Sequence, residues 1–390
     1  MSSYTDETDP AAKQRFEREL GDAKADKLEA LETLDLQNID DADGLLRAMS
    51  KTAFGGRRLG EAADALQAMV ADPQCSVVMT LSGAMTVAKM GLVITEMVER
   101  GWVQAIVSTG ALMTHGMVEL AGMEHYKAKD ELQDKELFEK GYNRVYDTYE
   151  LESSLNELGT RLRTIFKEVD QNFERYSSWQ LTRAVGQRLA EPGMRGILSA
   201  CYRKGVPVFI PALTDSEFGL DLATFYMEEM LATDSETSLS DALGQLQTKF
   251  DPFGDLAHYT RFVLNADRLG IFTIGGGVPR NWAQQASPFV DYMNQPLNRN
   301  EPLNRFRYAV RICPEPTHWG GLSGCTYSEG VSWGKFVPPS EGGLFAEVYS
   351  DATVCWPLLV QGVAQRLDKA GVQVTSPQID LDGFLPPSQA

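Results

Sequence analysis

A doubly wound α/β domain is what this chain predicts, on three observations. Short, almost continuously apolar runs recur along it, helical stretches separate them, and each run ends in small or acidic residues. Strands that are apolar on both faces belong in a parallel sheet covered by helices on both sides. Small residues at strand ends suit an open sheet, where ligands lie at the carboxyl edge against helix N-termini.

Residues 1–40 read as a charged arm, interrupted by Asp9-Pro10, with a solvated helix expected from Ala11 to Leu34. One domain is expected over residues 41–375 and a short tail over 376–390. Leu45-Leu46-Met49 and Ala63-Leu66-Met69-Val70 carry apolar residues at helical spacing. The strand runs then begin: Ser76 to Leu81 ending in Ser82-Gly83, and Val103 to Val107 ending in Ser108-Thr109-Gly110. Val206 to Pro211 leads to Thr214-Asp215, and Gly270 to Ile274 leads to Gly275-Gly276-Gly277. Tyr308 to Ile312 and Phe345 to Tyr349, the latter ending in Ser350-Asp351, close the series. A Met-rich helix from Met79 to Met97 reads as core packing. The acidic stretch from Lys127 to Gln180 reads as a helical crossover and interface insertion.

The chain has 390 residues, 36 Lys+Arg against 54 Asp+Glu, and a formal net charge of -18. An acidic field of that size argues against nucleic acid or an anionic membrane as partner, and suits a cationic ligand. The five cysteines form no Cys-x-x-Cys pair, as in a reduced cytoplasmic enzyme. The four histidines lack metal-ligand spacing, so no metal is expected. The start Met1-Ser2-Ser3-Tyr4-Thr5-Asp6-Glu7 carries no secretory signal, and no window is apolar enough to span a membrane. A soluble, cytoplasmic protein is the expectation.

The most informative stretch is Glu329-Gly330-Val331-Ser332-Trp333-Gly334-Lys335, which puts a carboxylate, an indole and an amine into one short turn. A lysine amine forms Schiff bases once burial or a neighbouring cation frees its lone pair. An indole face attracts a cation, and a carboxylate holds an ammonium group. Taken alone, such a turn is more often structural. Gly275-Gly276-Gly277 lets the backbone approach a pyrophosphate, or simply makes a tight turn. Asp351 either accepts from a ribose or caps the helix that follows, and Asp215 carries the same two readings. His115, after Ala111-Leu112-Met113, reads first as a partly buried structural histidine. Trp319-Gly320-Gly321-Leu322-Ser323-Gly324 is a loop long enough to wrap a ligand.

In order, these segments resemble the deoxyhypusine synthase family, in particular its bacterial deoxyhypusine synthase-like branch. The resemblance rests on Ser82-Gly83-Ala84, Val107-Ser108-Thr109-Gly110-Ala111 with His115, Lys140-Gly141-Tyr142-Asn143-Arg144-Val145-Tyr146-Asp147 and Pro211-Ala212-Leu213-Thr214-Asp215. It continues through Gly275 to Asn281, Gly321-Leu322-Ser323-Gly324, Val331 to Lys335 and Val348 to Thr353, covering roughly residues 40 to 370. It implies a homotetramer with a Rossmann-like fold, NAD as cofactor, polyamine substrates and active sites at dimer interfaces. In that family NAD takes a hydride from spermidine, a lysine carries the aminobutyl group as an imine, and an acceptor amine then displaces the lysine.

Carried onto this chain, the resemblance makes Lys335 the catalytic lysine. Glu329, Trp333, Asn281, His115, Ser323 and Asp221 become substrate contacts. Ser82, Gly83, Thr86, Thr109, Gly110, Asp215, Gly276, Gly277, Asp351 and Ala352 become cofactor contacts. Departures are also legible: Asn281 stands where the true synthases carry a histidine, Leu220 and Leu322 where they carry aspartates, and Gly116 where they carry an acid. Aminobutyl transfer to putrescine, of homospermidine synthase type, is therefore the leading expectation. Transfer to a lysine of a translation factor 5A-like protein is the second, and a retired paralogue binding NAD or polyamine the third.

Overall fold

Six strands build a fully parallel sheet, β1 (Cys75–Leu81), β2 (Ala105–Ser108), β6 (Val208–Phe209), β7 (Arg268–Ile274), β8 (Phe306–Ile312) and β9 (Leu344–Val348). The computed structural model describes residues 21–129, 132–233, 236–375, 377 and 379–380. Across the sheet the order is β6-β2-β1-β7-β8-β9. The chain thus runs outward from β1 in one direction and then, from β7, in the other. That reversal makes a switch point between β1 and β7, where the connections leave on opposite sides and open a crevice at the carboxyl edge.

The alternation along each strand divides the core in two. Val77, Met79 and Leu81 of β1 pack on one face with Phe272, Ile274 and Trp356, while Val78 packs on the other with Val107, Ile271 and Tyr259. Helices α1 (Phe54–Ala71), α2 (Gly110–Leu120), α3 (Glu152–Asn172), α4 (Glu217–Thr233), α5 (Gly277–Gln284) and α6 (Ala352–Lys369) flank the sheet or its edges. Both faces are covered, as the unbroken apolar runs predict.

Three expectations need correction. The stretch after Lys127 is not helical at its start: β3 (Tyr126–Lys127), β4 (Tyr142–Val145) and β5 (Thr148–Leu151) form a separate antiparallel sheet in the order β3-β5-β4. Tyr142 pairs with Leu151 and Arg144 with Tyr149 across the hairpin. Dense charge masks that short alternation in the sequence, whereas α3 and the helix Ser178–Arg188 arise as expected. The helix expected over Ala11–Leu34 is absent from its described part: residues 21–34 form turns and extended chain, with Leu28 and Leu31 exposed, because no apolar face receives them; residues 11–20 lie outside the described residues. The Met79–Met97 stretch is core, but Met79 lies on β1 and Met97 on the helix Gly91–Glu99, with a loop between.

Candidate active site

The turn Gly275-Gly276-Gly277 explains its own composition. Gly275 and Gly277 sit in the left-handed region at φ 73° and 61°, where an L side chain is strained. Gly276 is extended, yet a Cβ there would lie 2.5 Å from the Ser323 Cα. Its glycine is required by the approach of the protein's own Gly321–Gly324 loop. Ser82, just past β1, accepts a hydrogen bond from the Gly276 N–H at 2.8 Å, which ties the two lips of the switch-point crevice together.

Helix α5 leaves this turn and organises the lysine side. Asn281 Oδ1 accepts from the Lys335 ammonium at 3.3 Å. The Lys335 Nζ lies 5.9 Å from the centre of the Trp333 ring, and the side chain as a whole is only 8% exposed. The backbone of Lys335 is fixed on both sides: its N–H donates to the Gly330 carbonyl (3.1 Å) and its carbonyl accepts from Phe306 (3.0 Å). Burial is the main cause that pulls its pKa below the ordinary lysine value, helped by the Arg280 guanidinium and opposed by Cys325 and Glu329. Glu329 is exposed one turn away, on the short helix Tyr327–Val331. Burial with one amide oxygen as partner raises the share of the neutral amine, the form that attacks carbonyl or imine carbon.

Two buried arginines brace this loop. Arg280 donates to the Leu322 and Cys325 carbonyls at 3.0 and 2.7 Å, and Arg311 donates to the Ser323 and Cys325 carbonyls at 2.6 and 2.7 Å. Arg311 also pairs with Glu347 at 2.8 Å, and Arg280 stacks 5.1 Å from the Tyr327 ring centre. Sequence reasoning assigned neither a role. The signal was present for Arg311, a lone charge in the apolar run Tyr308-Ala309-Val310-Arg311-Ile312, since such charges are buried only with partners.

On the other side of the crevice the strand ends are small and polar. Thr109 N-caps α2 (Leu112 N–H to Thr109 Oγ1, 3.4 Å) and its own N–H donates to the Leu81 carbonyl at 3.2 Å. Gly110 lets Ser216 approach, since a Cβ there would lie 2.1 Å from the Ser216 Oγ. Asp215, beside it, is exposed, and Gly83 turns the chain at φ 80°. Helix N-termini and an exposed carboxylate suit a dinucleotide's pyrophosphate and ribose. At the far edge Asp351 accepts from Thr353 N–H at 2.7 Å and so caps α6, whose first residue Ala352 is buried. Thr86, expected to touch cofactor, is fully buried with its hydroxyl donating to the Leu112 carbonyl at 2.7 Å, and so braces the loop after β1 against α2.

Two expected substrate contacts are drawn elsewhere. Asp221 turns onto α3, where its Oδ1 lies 2.5 Å from a Cβ position at Gly159, and burial pushes its carboxyl up to about 6 despite Arg163. One residue along a helix is a rotation of about 100°, so Asp221 cannot replace an acid at Leu220, which is 61% exposed on another face. His115, on α2, meets Glu150 of β5 with Nδ1 2.8 Å from its Oε2, and His125 approaches the other oxygen at 3.1 Å. Burial alone would raise the Glu150 carboxyl, but the two imidazoles outweigh it and hold it at about 2.

Comparison with known proteins agrees with this geometry. The sequence profile described as deoxyhypusine synthase matches residues 44–363. A Methanosarcina acetivorans protein named "Probable deoxyhypusine synthase 2" is 31% identical over 324 residues, 83% of this chain and 86% of the relative. A deoxyhypusine synthase-like protein of Chlorobaculum parvum is 32% identical over 318 residues, 81% of this chain and 84% of the relative. Among solved structures, an Entamoeba histolytica protein assigned to deoxyhypusine synthase superposes with TM-score 0.52 at 14% identity, covering 85% of this chain and 96% of that one, and supports the fold. With its profile match over most of the length and a lysine seated in a parallel-sheet crevice, the chain belongs to the deoxyhypusine synthase family, a family of NAD-dependent aminobutyl transferases.

Proposed function

We propose that this protein transfers the aminobutyl group of spermidine to putrescine through an imine on Lys335. The observation that carries the reading is the Lys335 amine itself, buried, depressed in pKa and framed by Asn281 and Trp333. The crevice residues that would hold NAD are Ser82, Thr109, Gly110, Asp215, Gly276, Gly277 and Asp351. NAD supplies, when bound, a hydride acceptor for the spermidine carbon and returns the hydride at the end.

The chain's own residues do the rest. Glu329 pairs with an ammonium end of the polyamine, and Trp333 lays its ring face along the cationic chain. Lys335 Nζ attacks the substrate C=N carbon as a neutral amine. The bond from that carbon to the departing nitrogen breaks, and 1,3-diaminopropane leaves with the proton that Lys335 loses. A putrescine amine then attacks the same carbon and releases Lys335. Arg280 and Arg311 hold the loop so that the lysine reaches this carbon. The departures at Leu220, Leu322, Gly116 and Asn281 take away groups of the true synthases' site and so support an acceptor other than theirs.

The second reading is transfer to a lysine of a translation factor 5A-like protein, and the names of the relatives favour it. Incubation of the full chain with NAD and spermidine, offered putrescine and such a factor together, separates the two. Homospermidine in the product mixture supports the first; a modified protein lysine with putrescine untouched supports the second and overturns the first. We also propose a cytoplasmic homotetramer with sites closed at dimer interfaces, because Trp319, Leu322, Trp333 and Tyr349 expose apolar surface around the crevice. Light scattering that returns a monomer mass would remove that part. No described helix is long and apolar enough to cross a membrane.

A further inference from the structure

The fold assembles a donor set that the sequence spacing conceals. His115 comes from α2, His125 from the segment just before β3, and Glu150 from β5. Their ligating atoms all lie within 4.8 Å of one another, and the two rings meet edge-on with centres 6.2 Å apart. The side chains of His125 and Glu150 are 0% and 1% exposed, and that of His115 is 13% exposed and offers the way in. His115 Nδ1 is enclosed and, although 2.8 Å from Glu150 Oε2, makes no properly directed hydrogen bond.

We propose that His115, His125 and Glu150 hold one divalent transition-metal ion of the zinc class, which fastens the β3-β5-β4 sheet to α2. Two imidazoles and one carboxylate are a borderline-soft set that suits Zn²⁺ or Co²⁺ and leaves a fourth position to water. Ligand bonds of about 2.0–2.2 Å in a tetrahedron separate the donor atoms by roughly 3.3 Å. The two ring nitrogens now face different oxygens of Glu150, at 2.8 and 3.1 Å, and the donor atoms lie within 4.8 Å of one another, so binding an ion requires the two rings to draw together on the carboxylate. The surroundings also supply an outer partner. With an ion on His125 Nε2, the far nitrogen Nδ1 carries its hydrogen and needs an acceptor, and Glu119 Oε1 stands 3.8 Å from it. Lys89 now lies 3.1 Å from that nitrogen and pairs with Glu119; its side chain is 50% exposed and free to swing out while keeping the pair. The local charges of Glu150, Glu119 and Lys89 sum to one negative, so a dication is welcome.

The test uses the full chain without an affinity tag, stripped with chelator, then dialysed against Co²⁺ or Zn²⁺. One ion per chain by elemental analysis, a tetrahedral-type cobalt absorption band and a raised Tm are expected. Glu150→Gln and His115→Gln should each abolish the cobalt band, and Glu119→Gln should weaken binding about 10- to 100-fold as an outer partner does. His115→Gln decides the matter if Glu150→Gln does not fold, since His115 is the most exposed of the three. Well under one ion per chain, or uptake and Tm rise unchanged in His115→Gln, would place the metal on surface carboxylates and overturn the proposal.

Discussion

Two buried polar groups, Lys335 and Glu150, meet opposite fates in this protein. Lys335 is enclosed with a single amide oxygen at 3.3 Å and a buried guanidinium nearby, so its charged form is disfavoured. Glu150 is enclosed between two imidazoles at 2.8 and 3.1 Å, so its charged form is held despite the same loss of water. Burial acts on both alike; the partners decide the outcome. A group left under-partnered loses hold of its proton, as the proposed nucleophile must, and a well-partnered one keeps its charge. The comparison also separates two regions of the molecule: the β7–β8 side of the crevice buries an amine with few partners, and the β3-β5-β4 sheet meets α2 through a carboxylate between two imidazoles.

The strongest way to break the comparison is to remove the amine. Lys335→Ala and Lys335→Arg should both reduce aminobutyl transfer below detection, because a guanidinium stays protonated. Borohydride should trap a four-carbon adduct on the peptide holding Lys335 in the wild type; an adduct elsewhere would sink the assignment. Removing the other member's charge tests stability instead. Glu150→Gln removes the charge that faces the two imidazoles and loses one acceptor oxygen, and in metal-free protein should cost about 1–3 kcal/mol in denaturant unfolding.

Arg280→Met sharpens the lysine side. Without the guanidinium, the Lys335 pKa rises toward its ordinary value, so a smaller fraction is neutral at pH 7. Transfer should fall about 3- to 10-fold there and recover as pH is raised, a displaced kcat/KM profile. Arg280→Lys retains the charge and should keep the profile; an unshifted profile in Arg280→Met would end the electrostatic account. The smallest effect is expected at Asp221. Its carboxyl is raised to about 6, so the folded state holds the proton more tightly than the unfolded chain. That contribution is fully present below about pH 4 and is lost as pH rises through about 6. Asp221→Asn should therefore flatten the stability profile over that window and gain on the wild type above it, with transfer little changed. A parallel profile in the two proteins would show that Asp221 is not raised.

Much of this was legible before folding. The six parallel strands lie within two residues or so of the apolar runs, because strands buried on both faces need no polar positions. The β3-β5-β4 sheet was not legible: its short strands carry Lys127, Arg144 and Glu150 among their aromatics, and charge hides the alternation. Glu150 and His125 were missed as a cluster for the same reason that the spacing of four histidines argued against a metal. Residues 10 and 25 positions apart in sequence meet only when α2 packs against the small sheet.

What the chain determined by itself was the sheet, the punctuation of its strand ends and the lysine turn on which the proposed chemistry rests. Each depends on local composition: apolar runs, glycines at positive φ, an amine and an indole two residues apart. What only tertiary structure decided was which groups lose water together. The Gly276–Ser323 approach, the Arg280–Arg311 brace under Lys335, the turning of Asp221 onto α3 and the seating of Glu150 between two histidines all join residues far apart in the chain. The strength of a charge or a hydrogen bond depends on its partners and its distance from water, and neither is written along the sequence.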